Sequence, residues 1–163
     1  MISYLEESTR EPELSKMNLR LVLEKIVRLH EAHRQKSELT TTIRCPEKLL
    51  VETDEQLLIE ILDNLLSNAY KYTPKGGRVD ICARKIGKSI RIDVADTGYG
   101  IPQEEQRNIP KKFFRASNIA SPAASGTGIG LYMVYNIVRL IGGTISFVSK
   151  ENSGTTFTIL FPA

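Results

Sequence analysis

The sequence predicts an α+β domain, a two-layer α/β sandwich with helices on one face of a mixed, mostly antiparallel sheet. Segments of helical and strand periodicity follow one another in the order helix, strand, helix, hairpin, loop, helix, hairpin. Two pairs of consecutive strands are joined by short turns, which makes each pair antiparallel. The chain has 163 residues, enough for one domain with a substantial core.

The first half predicts two helices with strands between them. Residues 1–17 are interpreted as a charged helical piece or linker, broken at Pro12. A helix follows, with Asn18 as its N-cap. β-Branched residues predict a strand over 39–45, and the LLVE that follows predicts a second short strand. Residues 54–71 predict the strongest helix, whose apolar side chains form one stripe: Leu58, Ile61, Leu62, Leu65, Leu66 and Ala69.

The second half predicts two hairpins separated by a loop and a helix. RVDICARK and SIRIDVAD alternate apolar and polar residues on either side of a short turn. Residues 103–125 predict irregular structure with at most two short helical pieces. Helical periodicity begins at Ile129 and continues to about Leu140. GTISFVSK and GTTFTILF then predict a closing hairpin around ENSG.

Composition excludes several functional classes. The net charge of +3 gives no reason to expect nucleic acid or an anionic membrane as partner. Apolar runs are only a few residues long, and the N-terminus lacks the apolar core of a signal peptide. Cys45 and Cys82 are too few for a disulfide framework or a zinc site, and we interpret both as buried. We expect a reducing, cytoplasmic location without direct membrane contact.

SGTGIGL, residues 125–131, places three glycines around the start of a predicted helix. Backbone N–H groups at a helix start favour an anion, and glycine lets the backbone approach a ligand closely. The GxGxG spacing does not match the dinucleotide-binding fingerprint, and no lysine follows as a P-loop requires. The segment predicts a phosphate-binding loop of another kind, with a flexible hinge as the alternative.

A polar group lies on the flank of the strongest predicted helix. Asn64 and Asn68 are one helical turn apart, and Lys71 follows three residues later. An amide oxygen suits Mg²⁺, which commonly binds substrate phosphates at the same time, and lysine supplies positive charge for those phosphates. The same spacing fits a solvated helix flank, so both interpretations stay open.

Two loops contain further candidate functional residues. DTGYGIP (96–102) places Asp96 at a strand end before two glycines. A plain turn explains the glycines, whereas a carboxylate there can also accept a hydrogen bond from an exocyclic amine such as that of adenine. KKFFRA (111–116) contains adjacent phenylalanines and Arg115. These residues either anchor the loop on the core or form a lid whose arginine can bind phosphate.

In this order the motifs resemble the ATP-binding catalytic domain of sensor histidine kinases. NLLSNAYKYTPKGG is similar to the N box of that family, DTGYGIP to its G1 box, KKFFRA to its F box and GTGIGL to its G2 box, and GTTF (154–157) to its short closing motif. The resemblance covers about residues 38–163. It implies the Bergerat-type fold of gyrase B, Hsp90 and MutL. It divides the chain into a linker or tail of a helical dimerisation domain (1–17) and a catalytic domain (18–163).

The resemblance also implies residue roles. Asn68 would be the leading Mg²⁺ ligand, with Asn64 as second ligand or water holder. Lys71 would meet the phosphates of ATP, and Asp96 would accept from the adenine amino group. Tyr72 would pack against adenine, Thr156 would lie near the base, and the glycines of both loops would bring the backbone close to the nucleotide. The implied nucleotide contacts further comprise Gly98, Gly100, Ile101, Arg115, Gly126, Thr127, Gly128, Ile129, Gly130 and Leu131.

The implied activity is transfer of the γ-phosphoryl group of Mg-ATP to a protein histidine in two-component signalling. Gyrase-like and Hsp90-like ATPases carry a glutamate base where this chain has Asn64, so hydrolysis should be slow; the neighbouring Asp63 and Glu60 are the alternative bases. His30 and His33 lie in HEAHR, which lacks the proline of the family's acceptor motif. We interpret both as polar residues on a helix flank and expect the acceptor on a separate dimerisation domain.

A response regulator receiver domain is the other implied partner, and the parent protein would be cytoplasmic or the cytoplasmic part of a membrane-bound sensor. Ile109 and Pro110 depart from the usual F box, where an aromatic residue precedes the lysine pair. This departure favours one alternative, a degenerate kinase-like module that binds nucleotide or partners. A serine kinase of the anti-sigma-factor type, which shares the fold, is a third possibility, although NAYKYTPKGG is closer to the histidine kinases.

Overall fold

The computed structural model describes residues 11–109, 111, 116–117 and 128–163. Within these residues the chain forms, in order, β1 (Leu14–Asn18), α1 (Leu19–Leu29), α2 (Glu31–Lys36), β2 (Thr40–Arg44), β3 (Leu50–Asp54), α3 (Glu55–Tyr72), β4 (Arg78–Ile86), β5 (Ser89–Asp96), a 3₁₀ helix (Gln103–Asn108), α4 (Gly130–Leu140), β6 (Thr144–Lys150) and β7 (Gly154–Pro162).

Five strands form the main sheet in the order β2-β4-β5-β7-β6. β2 runs parallel to β4, and the other three neighbouring pairs are antiparallel. β1 and β3 form a separate antiparallel pair. These pairings confirm the predicted mixed, mostly antiparallel sheet and both predicted hairpins.

The core lies between the main sheet and the helices α1, α3 and α4. Alternate residues of β4 are buried, and those between them are exposed or half-buried, so one face of the sheet is covered. The predicted apolar stripe of α3 is buried along its whole length, from Leu58 to Ala69. The helices therefore cover one face, as predicted from the alternation in the strands.

Side-chain caps determine where the two long N-terminal helices begin. The Asn18 side chain accepts a hydrogen bond of 3.1 Å from the backbone N–H of Arg20, which confirms the predicted N-cap of α1. Asp54 Oδ1 accepts one of 3.1 Å from the N–H of Leu57 and begins α3. α3 carries several of the predicted site residues, so this cap helps to set their position.

Two expectations from the sequence are wrong. Residues 14–17 are part of β1 rather than of a helical piece or linker, and Leu14 pairs with Asp54 of β3. A segment this short cannot form a stable helix alone, whereas pairing with β3 gives each residue a strand partner. Cys82 is half-buried rather than buried, because it lies between the inward-facing residues of β4; Cys45 is buried as expected. The division of the chain at residue 17 stays a prediction.

Candidate functional site

A cleft of about 690 Å³, counting its open mouth, lies between α3, the start of α4 and the ends of β5 and β7. Its lining is mostly apolar and includes Leu65, Ala69, Val94, Ile101, Ile109, Ala116, Leu131 and Phe157. Polar residues at the cleft are few: Asn68, Tyr72, Asp96, Tyr99 and Thr155. A mostly apolar cleft with a few polar groups is typical of a small-molecule site.

Asp96, the last residue of β5, is the acidic group of the cleft. Its Oδ1 accepts hydrogen bonds from the backbone N–H of Gly98 at 2.8 Å and of Thr155 at 3.2 Å. Within the described part of the chain, Oδ2 accepts none. Burial raises the pKa of Asp96 to about 6, and the two N–H donors only partly oppose this. A ligand that donates to this carboxylate would therefore stabilise its ionised form.

Glycines let two loops pack directly on the backbone around Asp96. A Cβ on Gly98 would lie 2.7 Å from Asp96 Oδ1 and would collide with the carbonyl of Tyr72. Gly154 has a φ of +102°, and a Cβ there would collide with the carbonyl of Asp96. Gly100 lines the cleft, but its Cβ would meet the carbonyl of Lys150. Contacts within the protein alone therefore require glycine at these three positions.

The residues predicted on α3 separate into two groups. Asn68 and Tyr72 line the cleft. Asn64 is not among the lining residues: its Nδ2 donates to the carbonyl of Glu60 at 2.9 Å. A Cβ on Gly130 would lie 2.8 Å from Asn64 Oδ1, so the Asn64 side chain faces the first turn of α4. Lys71 also lies outside the lining, with its Nζ 5.3 Å from the ring centre of Tyr72.

The start of α4 forms the other wall of the site. Gly128 has a φ of +68°, a conformation that glycine adopts without strain. Ile129 is the N-cap position, and its carbonyl accepts from Met133 at 2.9 Å. Leu131 lines the cleft, as does Ile101 on the opposite loop. The predicted contacts Arg115, Gly126 and Thr127 lie outside the described residues.

Thr156 does not reach the cleft. Side chains alternate along β7, and Thr155 and Phe157 are the ones that line it. Thr156 lies on the opposite face of the sheet, between Ala95 and Val148. Val148 is 79% exposed, which marks that face as the solvent side. Thr155, one residue before the predicted Thr156, is the threonine that lines the cleft, and its alternation with Phe157 is the signal in the sequence that indicates it.

His30 and His33 lie away from the cleft, at the junction of α1 and α2. His30 Nε2 is 2.8 Å from Asp63 Oδ1, and its ring packs 5.4 Å from the ring of Tyr70. The His30 side chain is 19% exposed. His33 Nε2 lies 3.4 Å from the carbonyl of Tyr70. The histidines therefore connect α1 and α2 to α3, in agreement with their interpretation as polar residues on a helix flank.

The donor set of the cleft fits a metal ion only in company with a ligand. Among the described residues, no group of three His, Cys, Asp or Glu side chains could hold a metal ion. Mg²⁺ commonly takes one or two protein ligands and completes its shell with phosphates and water. The amide of Asn68 in the cleft suits such an ion, provided that a phosphate-bearing ligand supplies further oxygens.

The described helices include none with the length and apolar character needed to cross a membrane.

Comparison with known proteins identifies the family. Residues 53–163 match the family described as histidine kinase-, DNA gyrase B- and HSP90-like ATPase. The chain belongs to this ATPase family. Sensor-like histidine kinase SenX3 of Mycobacterium tuberculosis strain H37Rv is 33% identical over 162 residues, which are 99% of this chain and 40% of SenX3. The match confirms the resemblance drawn from the four motifs.

Solved structures of the family have the same fold. The catalytic domain of histidine kinase ThkA aligns with a TM-score of 0.80 at 28% identity, over 92% of this chain and 97% of that domain. ThkA in complex with the response regulator TrrA aligns with a TM-score of 0.79 at 25% identity, over 99% of this chain and 45% of ThkA. This ATPase-family chain is thus homologous to sensor histidine kinases and spans less than half the length of SenX3.

Proposed function

We propose that this chain is the catalytic domain of a two-component histidine kinase, which binds Mg-ATP and transfers its γ-phosphoryl group to a histidine on a separate helical dimerisation domain. One observation carries the proposal: the half-buried carboxylate of Asp96 faces a mostly apolar cleft bounded by a glycine-rich helix start. A carboxylate in that setting selects a ligand with a flat apolar body and an exocyclic amine, as in adenine.

The base would occupy the apolar part of the cleft. Asp96 Oδ2 would accept from the amino group of adenine, while Oδ1 stays bonded to the two backbone donors. Ile101 and Leu131 lie on different elements of the lining and would cover the faces of the ring. Tyr72 lies at the end of α3 and would pack at the edge of the base.

The phosphates would extend toward the start of α4. Backbone N–H groups of a helix's first turn are without intrahelical partners and favour an anion. Asn68 would hold Mg²⁺ together with the phosphates, and Lys71 would neutralise their charge. Asn64 faces the first turn of α4 and would orient a water molecule or act as a second ligand there. When bound, the Mg²⁺ would neutralise developing charge on the phosphoryl group.

The same residues argue against efficient hydrolysis. Asp96 is the one carboxylate among the described residues that line the cleft, and it would be occupied by the base. The amide of Asn64 cannot act as a general base toward water. Phosphoryl transfer then depends on positioning and charge neutralisation, and it requires an acceptor brought to the γ-phosphate. His30 is an unsuitable acceptor because it is packed on Tyr70 and paired with Asp63.

We therefore propose two protein partners in the cytoplasm: a histidine-bearing dimerisation domain and a response regulator receiver domain. The complex of the relative ThkA with the response regulator TrrA supports the second partner. ATP is abundant in the cytoplasm, which supports that location for the ATP-binding domain.

Phosphoryl transfer to an isolated helical domain from the parent kinase tests the proposal. Incubation of both domains with radiolabelled Mg-ATP should place an acid-labile label on the helical domain, and changing its acceptor histidine to alanine should abolish the label. The chain alone should neither label itself nor release phosphate rapidly. An acid-stable label would instead favour a serine kinase, nucleotide binding without any transfer would favour a binding module, and rapid hydrolysis by the chain alone would contradict the argument about Asn64.

A further inference from the structure

The 3₁₀ helix at Gln103–Asn108 is attached to the cleft by a group of partly buried hydrogen bonds. Gln106 Nε2 donates to the carbonyls of Ile101 and Ser149, each at 3.0 Å. Ser149 Oγ in turn accepts from the N–H of Ile101 at 2.8 Å and lies 2.8 Å from Thr155 Oγ1. Since Ile101 and Thr155 line the cleft, the 3₁₀ helix is held in a defined position relative to it.

Glu105 precedes Gln106 in this 3₁₀ helix and forms hydrogen bonds to Ser117. Its carboxylate accepts from the backbone N–H of Ser117 at 2.8 Å and also from the hydroxyl of Ser117. We call this pair of hydrogen bonds the Glu105–Ser117 clasp. It closes the chain across 12 residues of sequence, and both bonds end on an ionised acceptor, which makes them stronger than bonds between neutral groups.

The clasp lies beside the mouth of the cleft. Ala116, next to Ser117, lines the cleft and is 8% exposed, whereas Ser117 itself is exposed. Ile109, just after the 3₁₀ helix, also lines the cleft. The side chain of Ala116 cannot form hydrogen bonds. The two hydrogen bonds between Ser117 and Glu105 are therefore, among the described residues, the side-chain hydrogen bonds that hold this short segment beside the cleft.

We propose that Glu105 is a positioning residue: through Ser117 it holds Ala116 over the cleft and slows the release of bound nucleotide. The inference rests on the proposed function in one respect, namely that the ligand of the cleft is a nucleotide. Glu105 itself lies outside the lining and does not contact the ligand. Its effect should therefore appear in the dissociation rate, which is where most differences in affinity arise.

The expected effect is moderate because both hydrogen bonds of the clasp are exposed to water. Removing the carboxylate should raise the dissociation rate of a fluorescent ADP analogue roughly 3- to 10-fold, with little change in the association rate. Glu105→Ala is the test, and Glu104→Ala is its matched control. Glu104 is the preceding residue in the same 3₁₀ helix, is exposed, and loses the same charge on substitution. Glu104→Ala should dissociate at the wild-type rate.

Ser117 provides a second, independent test. Ser117→Ala removes the hydroxyl bond and keeps the N–H bond, so it should raise the dissociation rate less than Glu105→Ala does. Ser117→Thr keeps both the N–H and the hydroxyl group, so its dissociation rate should equal that of the wild type. In the Glu105→Ala background, Ser117→Ala should have no further effect, because its partner is already gone. Equal and additive effects of the two substitutions would overturn the proposal.

Amide hydrogen exchange separates failure of the clasp from failure of the proposed function. In the protein without nucleotide, the Ser117 N–H should exchange more slowly in wild type and in Glu104→Ala than in Glu105→Ala. Equal exchange in all three variants would overturn the clasp, whatever the cleft binds. Slow exchange in wild type with no ADP binding at all would instead refute nucleotide as the ligand and, with it, the proposed effect on release. An unchanged melting temperature in the Glu105→Ala variant would exclude general loss of folding.

Discussion

Asp96→Asn removes the charge of the cleft with almost no change in shape. The wild-type Oδ1 accepts from the N–H groups of Gly98 and Thr155, and only an oxygen can replace it there. The asparagine NH₂ group would consequently face the cleft. A ligand amine that finds an acceptor in the wild type would then meet a second donor, so the variant should bind ADP more weakly.

The magnitude follows from the loss of one hydrogen bond to a charged acceptor. Such a bond contributes about 1.5–3 kcal/mol, so the dissociation constant for ADP should rise roughly 10- to 150-fold. Asp96 is half-buried, so water can partly replace the lost partner, and an increase in the middle of this range is expected.

Isothermal titration calorimetry at pH 8 measures this change directly, since Asp96 is then ionised. Asp93→Asn is the matched control: it removes the same charge from the same strand, but Asp93 lies on the solvent face, bonded to Arg91 and to Thr158. The control should bind ADP like the wild type. Equal affinity in Asp96→Asn and wild type would refute the role given to the carboxylate, and an equal loss in both variants would show a long-range effect of charge.

Three further predictions concern stability and geometry. The raised pKa of Asp96 means that the free energy of unfolding of the wild type falls as pH increases from about 4 through 6. Without nucleotide, Asp96→Asn should therefore be more stable than the wild type by about 1–3 kcal/mol at pH 7–8 in urea unfolding, and this gain should disappear below about pH 4. A constant difference at all pH values would contradict this. Gly154→Ala should abolish ADP binding, and it should lower the melting temperature much more than Gly87→Ala does. Both glycines have positive φ, but only a Cβ on Gly154 would collide with a neighbouring atom. Similar effects of the two substitutions would refute the close contact at Gly154. Thr155→Val should weaken ADP binding and Thr156→Val should leave it unchanged, since only the first lines the cleft; fluorescence titration that ranks them in the opposite order would reverse the assignment.

The fold was predictable because its elements are encoded in local patterns. The buried stripe of α3 and the alternation in β4 and β5 are visible in the sequence, and each observed helix or strand there lies within a few residues of its predicted range. β1 was not predictable in this way, because its structure depends on pairing with β3, more than thirty residues away. A short strand that is stable only through pairing with a distant strand need not show an alternation of apolar and polar residues in its own sequence.

The sequence indicated which residues belong to the site more readily than it indicated where each side chain points. Motif resemblance indicated Asp96 and Asn68, both of which line the cleft. It could not indicate that Asn64 faces α4, because that depends on how closely two helices pack at Gly130. The clasp between Glu105 and Ser117 leaves no motif at all, since a hydrogen bond across a loop has no fixed spacing. The roles of these residues in binding and transfer stay predictions.

The central claim is that the cleft selects adenine through Asp96. The most direct test is a calorimetric titration of the wild-type chain with Mg²⁺ and a non-hydrolysable ATP analogue, repeated with the guanine counterpart and without Mg²⁺. The adenine analogue should bind in the micromolar range, about 8 kcal/mol, and more weakly without Mg²⁺. The guanine analogue should bind at least about tenfold more weakly, because its ring carries an acceptor where adenine carries the amine. Equal binding of both analogues, or no heat with either, would contradict the account.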